Sequence, residues 1–150
     1  MDIKIKKNSH LFKVRTSGII MKDNKILVEQ YRDTSYFTLP GGYVEIGEDS
    51  SSAIIREIKE EVGVRINKNN IHPLYDRYLV KERFNNHFMY PFYAVCNKEA
   101  SEFKVQKEEL SYVKWYSIDK VIEMIKEGNK ELVFKKEEIP LFEKLKNIEL

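Results

Sequence analysis

Apolar and polar residues alternate with a short period through most of this 150-residue chain and change to a helical period in three places. Lys13 to Met21 and Lys25 to Gln30 read as two β-strands flanking Lys22-Asp23-Asn24, a polar turn suited to a hairpin. Tyr36 to Leu39 reads as a short strand ended by Pro40, after which Gly41-Gly42 admits backbone angles closed to other residues. The period then lengthens. Asp49 or one of Ser50 to Ser52 can cap a helix running to about Val62, with Gly63 where a left-handed C-cap belongs. Aromatic-rich runs at Ile71 to Val80, Phe88 to Cys96 and Tyr112 to Tyr116 predict further strands. Ser117 or Asp119 starts a second helix through Ile125, and Glu137 to Ile148 has the pattern of a terminal helix with Pro140 in its first turn. Strands outnumber helices, and the helices interrupt them irregularly. The expected fold class is therefore α+β, a mixed sheet flanked by helices, rather than a regular β/α repeat.

Composition narrows the function classes more than the fold. The length suits one domain over 1–150, and no repeat, low-complexity tract or Pro/Gly/Ser-rich linker divides it. No apolar run approaches the ~20 residues of a membrane span, and Met1 to Asn8 lacks an apolar signal-peptide core. These features predict a cytoplasmic protein with no membrane partner. Cys96 has no second cysteine to pair with, in keeping with a reducing compartment, and reads as a small buried strand residue. A net charge of +2 does not by itself indicate nucleic acid, and a homodimer is left open.

The chemistry concentrates in the first helix. At about 100° per residue, Ile54, Ile58 and Val62 form one apolar stripe with Ile55 beside it. Glu57, Glu60 and Glu61 form a separate acidic stripe at offsets i, i+3 and i+4, which share a face. Three like charges so close are tolerated best around a cation, and hard cations such as Mg²⁺ combine a few carboxylates with substrate phosphates. Arg56 stands four residues before Glu60 and can pair with it or reach back to Glu48.

The stretch Gly42 to Val64, GYVEIGEDSSSAIIREIKEEVGV, resembles the signature of the Nudix hydrolases, G-x5-E-x7-R-E-U-x-E-E-x-G-U with U aliphatic. Every defined position is met, by Gly42, Glu48, Arg56, Glu57, Ile58, Glu60, Glu61, Gly63 and Val64. Phe37-Thr38-Leu39-Pro40-Gly41 also looks like the family's approach to this box. The resemblance implies an α/β/α sandwich in which the box forms a loop, helix and loop. It implies Mg²⁺ or Mn²⁺ held by Glu57, Glu60 and Glu61, with the backbone carbonyl of Gly42 as a further ligand. It also implies a supporting salt bridge between Glu48 and Arg56.

The implied reaction is hydrolysis of a nucleoside diphosphate linked to another moiety, such as a nucleoside triphosphate, nucleotide sugar or dinucleoside polyphosphate. Water attacks a diphosphate phosphorus while the cation neutralises oxygen charge and lowers the pKa of a water. Family members differ in the base. Some use the residue at Glu57 and others a glutamate on a later loop, for which Glu109, six residues before Trp115, is preferred over Glu108.

Residues for substrate binding are named from chemistry alone. Arg32, Arg77 and Arg83 suit phosphate or sugar, and Tyr31, Tyr36, Phe37, Phe84, Phe88 and Tyr90 offer flat surfaces for a base. Phe84 to His87 reads as a loop between strands, with His87 as a further candidate. The ADP-ribose branch of the family often carries a proline about fifteen residues beyond the box, where this chain has Tyr78 and Leu79, which counts against ADP-ribose. Tyr78 comes near a tyrosine that marks the dinucleoside-polyphosphate branch. Two alternatives remain: a nucleotide-sensing module, usually with a degraded box, and an isoprenoid-diphosphate isomerase using a cysteine.

Overall fold

A computed structural model describes residues 1–81 and 85–148; Arg83 and Phe84 lie outside them. In chain order the described elements are β1 (Lys4–Lys7), β2 (His10–Lys22), β3 (Lys25–Tyr31), β4 (Gly41–Tyr43), α1 (Ser50–Val62), β5 (His72–Pro73), β6 (Tyr78–Val80), β7 (Asn85–Val95), β8 (Leu110–Ser117), α2 (Ile118–Lys126) and α3 (Ile139–Lys146). The strands form one mixed sheet with the path β5-β7-β2-β3-β8. Among the described strand pairs, only the long β2·β7 pairing is parallel, running from Leu11↔Asn85 to Met21↔Val95.

The period-2 pattern of β2 and β3 explains the layers. Ile19, Met21, Ile26 and Val28 face α2 and α3, in a core completed by Val121, Ile125, Leu141 and Phe142. Ile20 and Leu27 face the other way, against Ile54, Ile58 and Val62 of α1. The result is an α/β/α sandwich. Among the described residues, no helix is long and apolar enough to cross a membrane.

The other edge of β2 is shared by three partners. Residues 10–13 pair with β1, residues 15–17 with β4, and residues 21–22 with β3. Between these contacts β2 and β3 diverge, and the thread 37–40 fills the wedge. Thr38 and Glu29 exchange both backbone hydrogen bonds at 2.9 and 2.8 Å, and the Gly18 N–H donates to the Pro40 carbonyl at 2.8 Å. Each residue of the thread serves a different neighbour, so Tyr36 to Leu39 forms isolated bridges rather than the expected strand.

Local signals are otherwise well obeyed. Asp23 and Asn24 both take left-handed angles, φ 48° and 60°, as the tight β2–β3 turn requires. Asp49 caps α1 by accepting the Ser52 N–H, and Gly63 ends it at φ 73°. Ser117 caps α2, and Pro140 stands in the first turn of α3, which begins at Ile139 after a 3₁₀ turn at Lys136–Glu138.

Four expectations need correction. Met1 to Asn8, given no element from sequence, contributes β1. Ile71 to Val80 is two short strands. Pro73 pairs with Phe92 and Tyr78 with Met89, so the four residues 74–77 oppose only Tyr90 and Pro91, and Pro91 has no N–H to continue the ladder. Asn85 to His87 belong to β7 rather than to a loop, because β2 extends far enough to pair with them. Cys96 lies one residue past the end of β7, half-buried.

Candidate active site

The site is assembled where β4 runs under α1. Gly41 and Gly42 pair with Ser17 and Thr16, which fixes Gly42 beneath the middle of the helix. A Cβ on Gly42 would stand 2.5 Å from both Cδ and Oε1 of Glu57, so only glycine permits this approach. The apolar stripe of α1 sets the helix rotation, and that rotation places Glu57 against β4, Glu61 inward and Glu60 outward at 55% side-chain exposure.

Two electrostatic regions flank Glu57. On one side, Arg56 binds Glu48 with two hydrogen bonds, Nε to Oε2 at 3.0 Å and Nη2 to Oε1 at 2.9 Å. Its Nη2 also donates to the Tyr43 carbonyl at 3.1 Å, and Nη1 donates to Glu57 Oε1 at 2.8 Å and lies 3.5 Å from Glu60 Oε2. The alternatives left by the sequence are thus both realised. The Arg56 hydrogen bonds hold the Glu48 carboxyl below its usual pKa, whereas burial pushes Glu57 upward against the pull of Arg56.

On the other side, no ion pair forms among the described residues. Glu61, 4% exposed, accepts from the Tyr31 hydroxyl at 3.1 Å and the Gly41 N–H at 3.2 Å. Burial pushes its pKa up to about 7. Beside it Glu29, 0% exposed, receives no hydrogen bond at either carboxyl oxygen. Burial first, and then repulsion from Glu61, raises Glu29 well above the carboxylate range; the two carboxyls can bond only with a proton between them. Sequence reasoning missed Glu29. The available signal was a lone charge directly after the apolar run Ile26 to Val28, at a position that strand alternation turns toward α1.

The expected convergence of the three box glutamates is modified accordingly. Among the described residues, no three His, Cys, Asp or Glu side chains already form a metal-holding group. Arg56 stands among Glu48, Glu57 and Glu60 instead. The donor set remains hard oxygen throughout, and Glu29 and Glu61 are buried acids without an ion-pair partner among the described residues, which fits a hard divalent cation.

The remaining candidates scatter. Glu108 and Glu109 are exposed in a turn before β8. That turn is docked to the end of α1 by the Gln106 N–H on the Glu61 carbonyl, 2.9 Å, and the Glu109 carbonyl accepts the Arg32 N–H at 2.7 Å. Arg32 is exposed, and Tyr36 is 38% exposed. Phe37 is a correction: it is 5% exposed and packs edge-on against Tyr112 and Tyr116, so it serves the core and not a ligand. Arg77 lies over the Phe88 ring at 4.5 Å and donates to the Tyr90 hydroxyl at 3.4 Å, which ties up three of the proposed binding groups in one surface cluster.

His87 lines a cleft of about 150 Å³ together with Arg15, Gly41, Tyr78, Phe134 and Glu138. The Tyr78 hydroxyl donates to Glu138 at 3.3 Å, and Arg15 Nε is buried without a partner. Gly41 lines this cleft while donating to Glu61, so cleft and acidic site meet at one peptide. A larger hollow of about 620 Å³ between α2 and α3, bordered by Asp119, Glu123 and Lys146, touches none of these residues.

Residues 12–135 match the model of the NUDIX domain. An ADP-ribose pyrophosphatase of Methanocaldococcus jannaschii is 50% identical over 54 residues, 34% of this chain and 32% of that protein. A protein named NAD-capped RNA hydrolase NudC, from Mannheimia succiniciproducens, is 30% identical over 107 residues, 70% of this chain and 37% of its own. The chain thus spans about a third of the length of these curated relatives. Among solved structures, a MutT protein from Methanosarcina mazei Go1 superposes with a TM-score of 0.72 at 15% identity, covering 91% of this chain and 96% of that one, and so supports the fold. With its complete box on the loop, helix and loop just described and the domain matched over most of its length, the chain belongs to the NUDIX family.

Proposed function

We propose that this chain is a divalent-cation-dependent pyrophosphohydrolase that cleaves a nucleoside diphosphate joined to a further group. The observation that carries the reading is the contact of Gly42 with the Glu57 carboxyl, braced by Arg56 and Glu48 and joined through Gly41 to the small cleft lined by Arg15, Tyr78 and Glu138. Glu57, Glu60, Glu61 and the Gly42 carbonyl would hold Mg²⁺ or Mn²⁺. When bound, the ion supplies charge neutralisation at phosphate oxygens and a water of lowered pKa.

The protein groups then have distinct roles. Glu57 receives the proton of the attacking water, with Glu109 as the later-loop alternative. Arg56 and Glu48 fix Glu57 from behind. Arg15, Tyr78 and Glu138 line the cleft and orient the nucleoside there. The relatives' names put ADP-ribose in the panel to be tested, although the segment matched at 50% identity is only a third of this chain and Tyr78 stands where that branch often has proline.

The deciding experiment incubates the protein with Mg²⁺ and a panel of nucleoside triphosphates, nucleotide sugars, ADP-ribose and dinucleoside polyphosphates, following monophosphate, phosphate and pyrophosphate. Turnover of one or more, abolished by EDTA, is the expected result. Tight binding with no turnover would support the sensing module instead. The isomerase reading has poor support, because Cys96 lies past β7 beside Met21, at the opposite end of β2 from Arg15.

A further inference from the structure

Glu29 lies outside the box, yet at 0% exposure it is the most deeply buried acid among the described residues. Neither of its carboxyl oxygens has a hydrogen-bond partner. Strand alternation puts Glu29 on the same face of β3 as Leu27 and Tyr31, and the Tyr31 hydroxyl reaches Glu61 at 3.1 Å, so the two carboxyls meet beneath the end of α1. The strongest charges acting on Glu29 there are those of Glu61 and Glu57, both negative.

An acid at this place is costly. Leucine would extend the apolar run Ile26 to Val28, and exchanging buried charge for an apolar side chain of similar volume is often neutral or stabilising. Glu29 therefore weakens the metal-free chain, and only a positive partner offsets that loss. Glu61 is already oriented for one: the Tyr31 hydroxyl and the Gly41 N–H each hold one of its oxygens and leave further lone pairs on both. Glu29, with no donor at either oxygen, keeps its whole acceptor capacity. Two carboxylates match the charge of one divalent cation, and Mg²⁺ needs only one or two of them, completing its shell with waters and substrate phosphate. Gly41 offers the way in, because it lines the cleft while its N–H faces Glu61.

We propose that Glu29 is a further ligand of the divalent cation and binds it jointly with Glu61, so that the metal site extends from the box helix onto β3. This rests on the proposed function in one respect, that Glu61 holds the ion. A rival arrangement uses the same contact: a proton shared by Glu29 and Glu61 would tie them together and keep the ion out.

The test titrates the full chain with Mn²⁺ alone, reading free ion by electron paramagnetic resonance, for the wild type, Glu29→Leu and Glu29→Gln. Melting curves in EDTA and in Mn²⁺, and hydrolysis of the nucleotide panel, are followed in parallel. Loss even of a residue behind a metal ligand weakens binding about 10- to 100-fold, so Glu29→Leu should raise the Mn²⁺ Kd at least about tenfold. It should melt no lower than the wild type in EDTA and gain less from Mn²⁺, a pair of signs that a purely structural acid does not produce. Water-proton relaxation by the bound ion should rise, because water replaces the lost carboxylate. Should Glu29→Leu not fold, Glu29→Gln keeps the shape, removes the charge and should raise the Kd in the same direction.

Unchanged or tighter Mn²⁺ binding by the variants overturns the assignment, the tighter case in favour of the shared proton. So does a wild type that binds no Mn²⁺. Panel hydrolysis by the wild type beside unchanged binding in the variants removes Glu29 alone and leaves the hydrolase reading standing. Weakened binding in the variants with no panel hydrolysis by the wild type keeps Glu29 as a ligand and removes the hydrolase reading.

Discussion

Glu48 and Glu61 are both box carboxylates within reach of one helix, yet their surroundings are opposite. Glu48 is partly open to solvent, receives two hydrogen bonds from Arg56 and one from the Glu45 N–H, and is held ionised. Glu61 is buried, receives one hydroxyl and one amide, and faces a second buried carboxyl, Glu29. A satisfied ion pair fixes geometry. An unsatisfied buried acid holds free energy that a cation can release, because a buried charge is costly until it is paired. The first side braces Glu57 through Arg56, and the second is where, on the proposed function, a cation would act.

The comparison breaks most directly at Glu57, between the two sides. Glu57→Gln keeps the shape and removes charge and basicity, so kcat should fall by at least about a hundredfold with the fold intact. A near-normal rate would take Glu57 out of the site. On the braced side, Arg56→Met leaves Glu48, Glu57 and Glu60 without their cation. Since the group is partly solvated, a loss of about 2 kcal/mol is expected, below the full cost of breaking a buried pair, read from the urea midpoint at constant m.

On the second side the sign of the pH dependence differs from the usual carboxylate. Glu61 is raised from an unfolded value of about 4.3 to about 7 in the folded chain, so the folded state binds the proton more tightly. In EDTA, stability is therefore greatest below about 4.3 as far as this group is concerned, and is lost as pH rises through about 7. Glu61→Gln should flatten that fall, and Mg²⁺ should reverse it. Glu48, lowered by Arg56, contributes with the opposite sign, its stability being lost as pH drops below about 4.3. The smallest effect is expected at the cap: Asp49→Ala should cost about 1 kcal/mol of stability in thermal melts, without changing kcat.

Much of this site is legible in the amino-acid sequence. The offsets of Glu57, Glu60 and Glu61, the apolar stripe of Ile54, Ile58 and Val62, the Asp49 cap and Gly63 are local properties of one helix, and local periodicity reports them. Phe37 and the Ile71 to Val80 run mislead for one reason. Both look apolar in sequence, but whether an aromatic faces a ligand or the core, and whether a strand continues, depends on partners elsewhere, Tyr112 and Tyr116 in one case and Pro91 in the other.

The sequence by itself determined the box, its helix and the class of chemistry, because those depend on spacing along one element. Only the tertiary structure decided that Arg56 reaches Glu48, Glu57 and Glu60 together, that Gly42 is pressed on Glu57, and that Glu29 lies against Glu61. The contacts with Glu48, Gly42 and Glu29 join α1 to a loop and two strands, and their energies depend on burial and distance, which exist only once the sheet has closed around them.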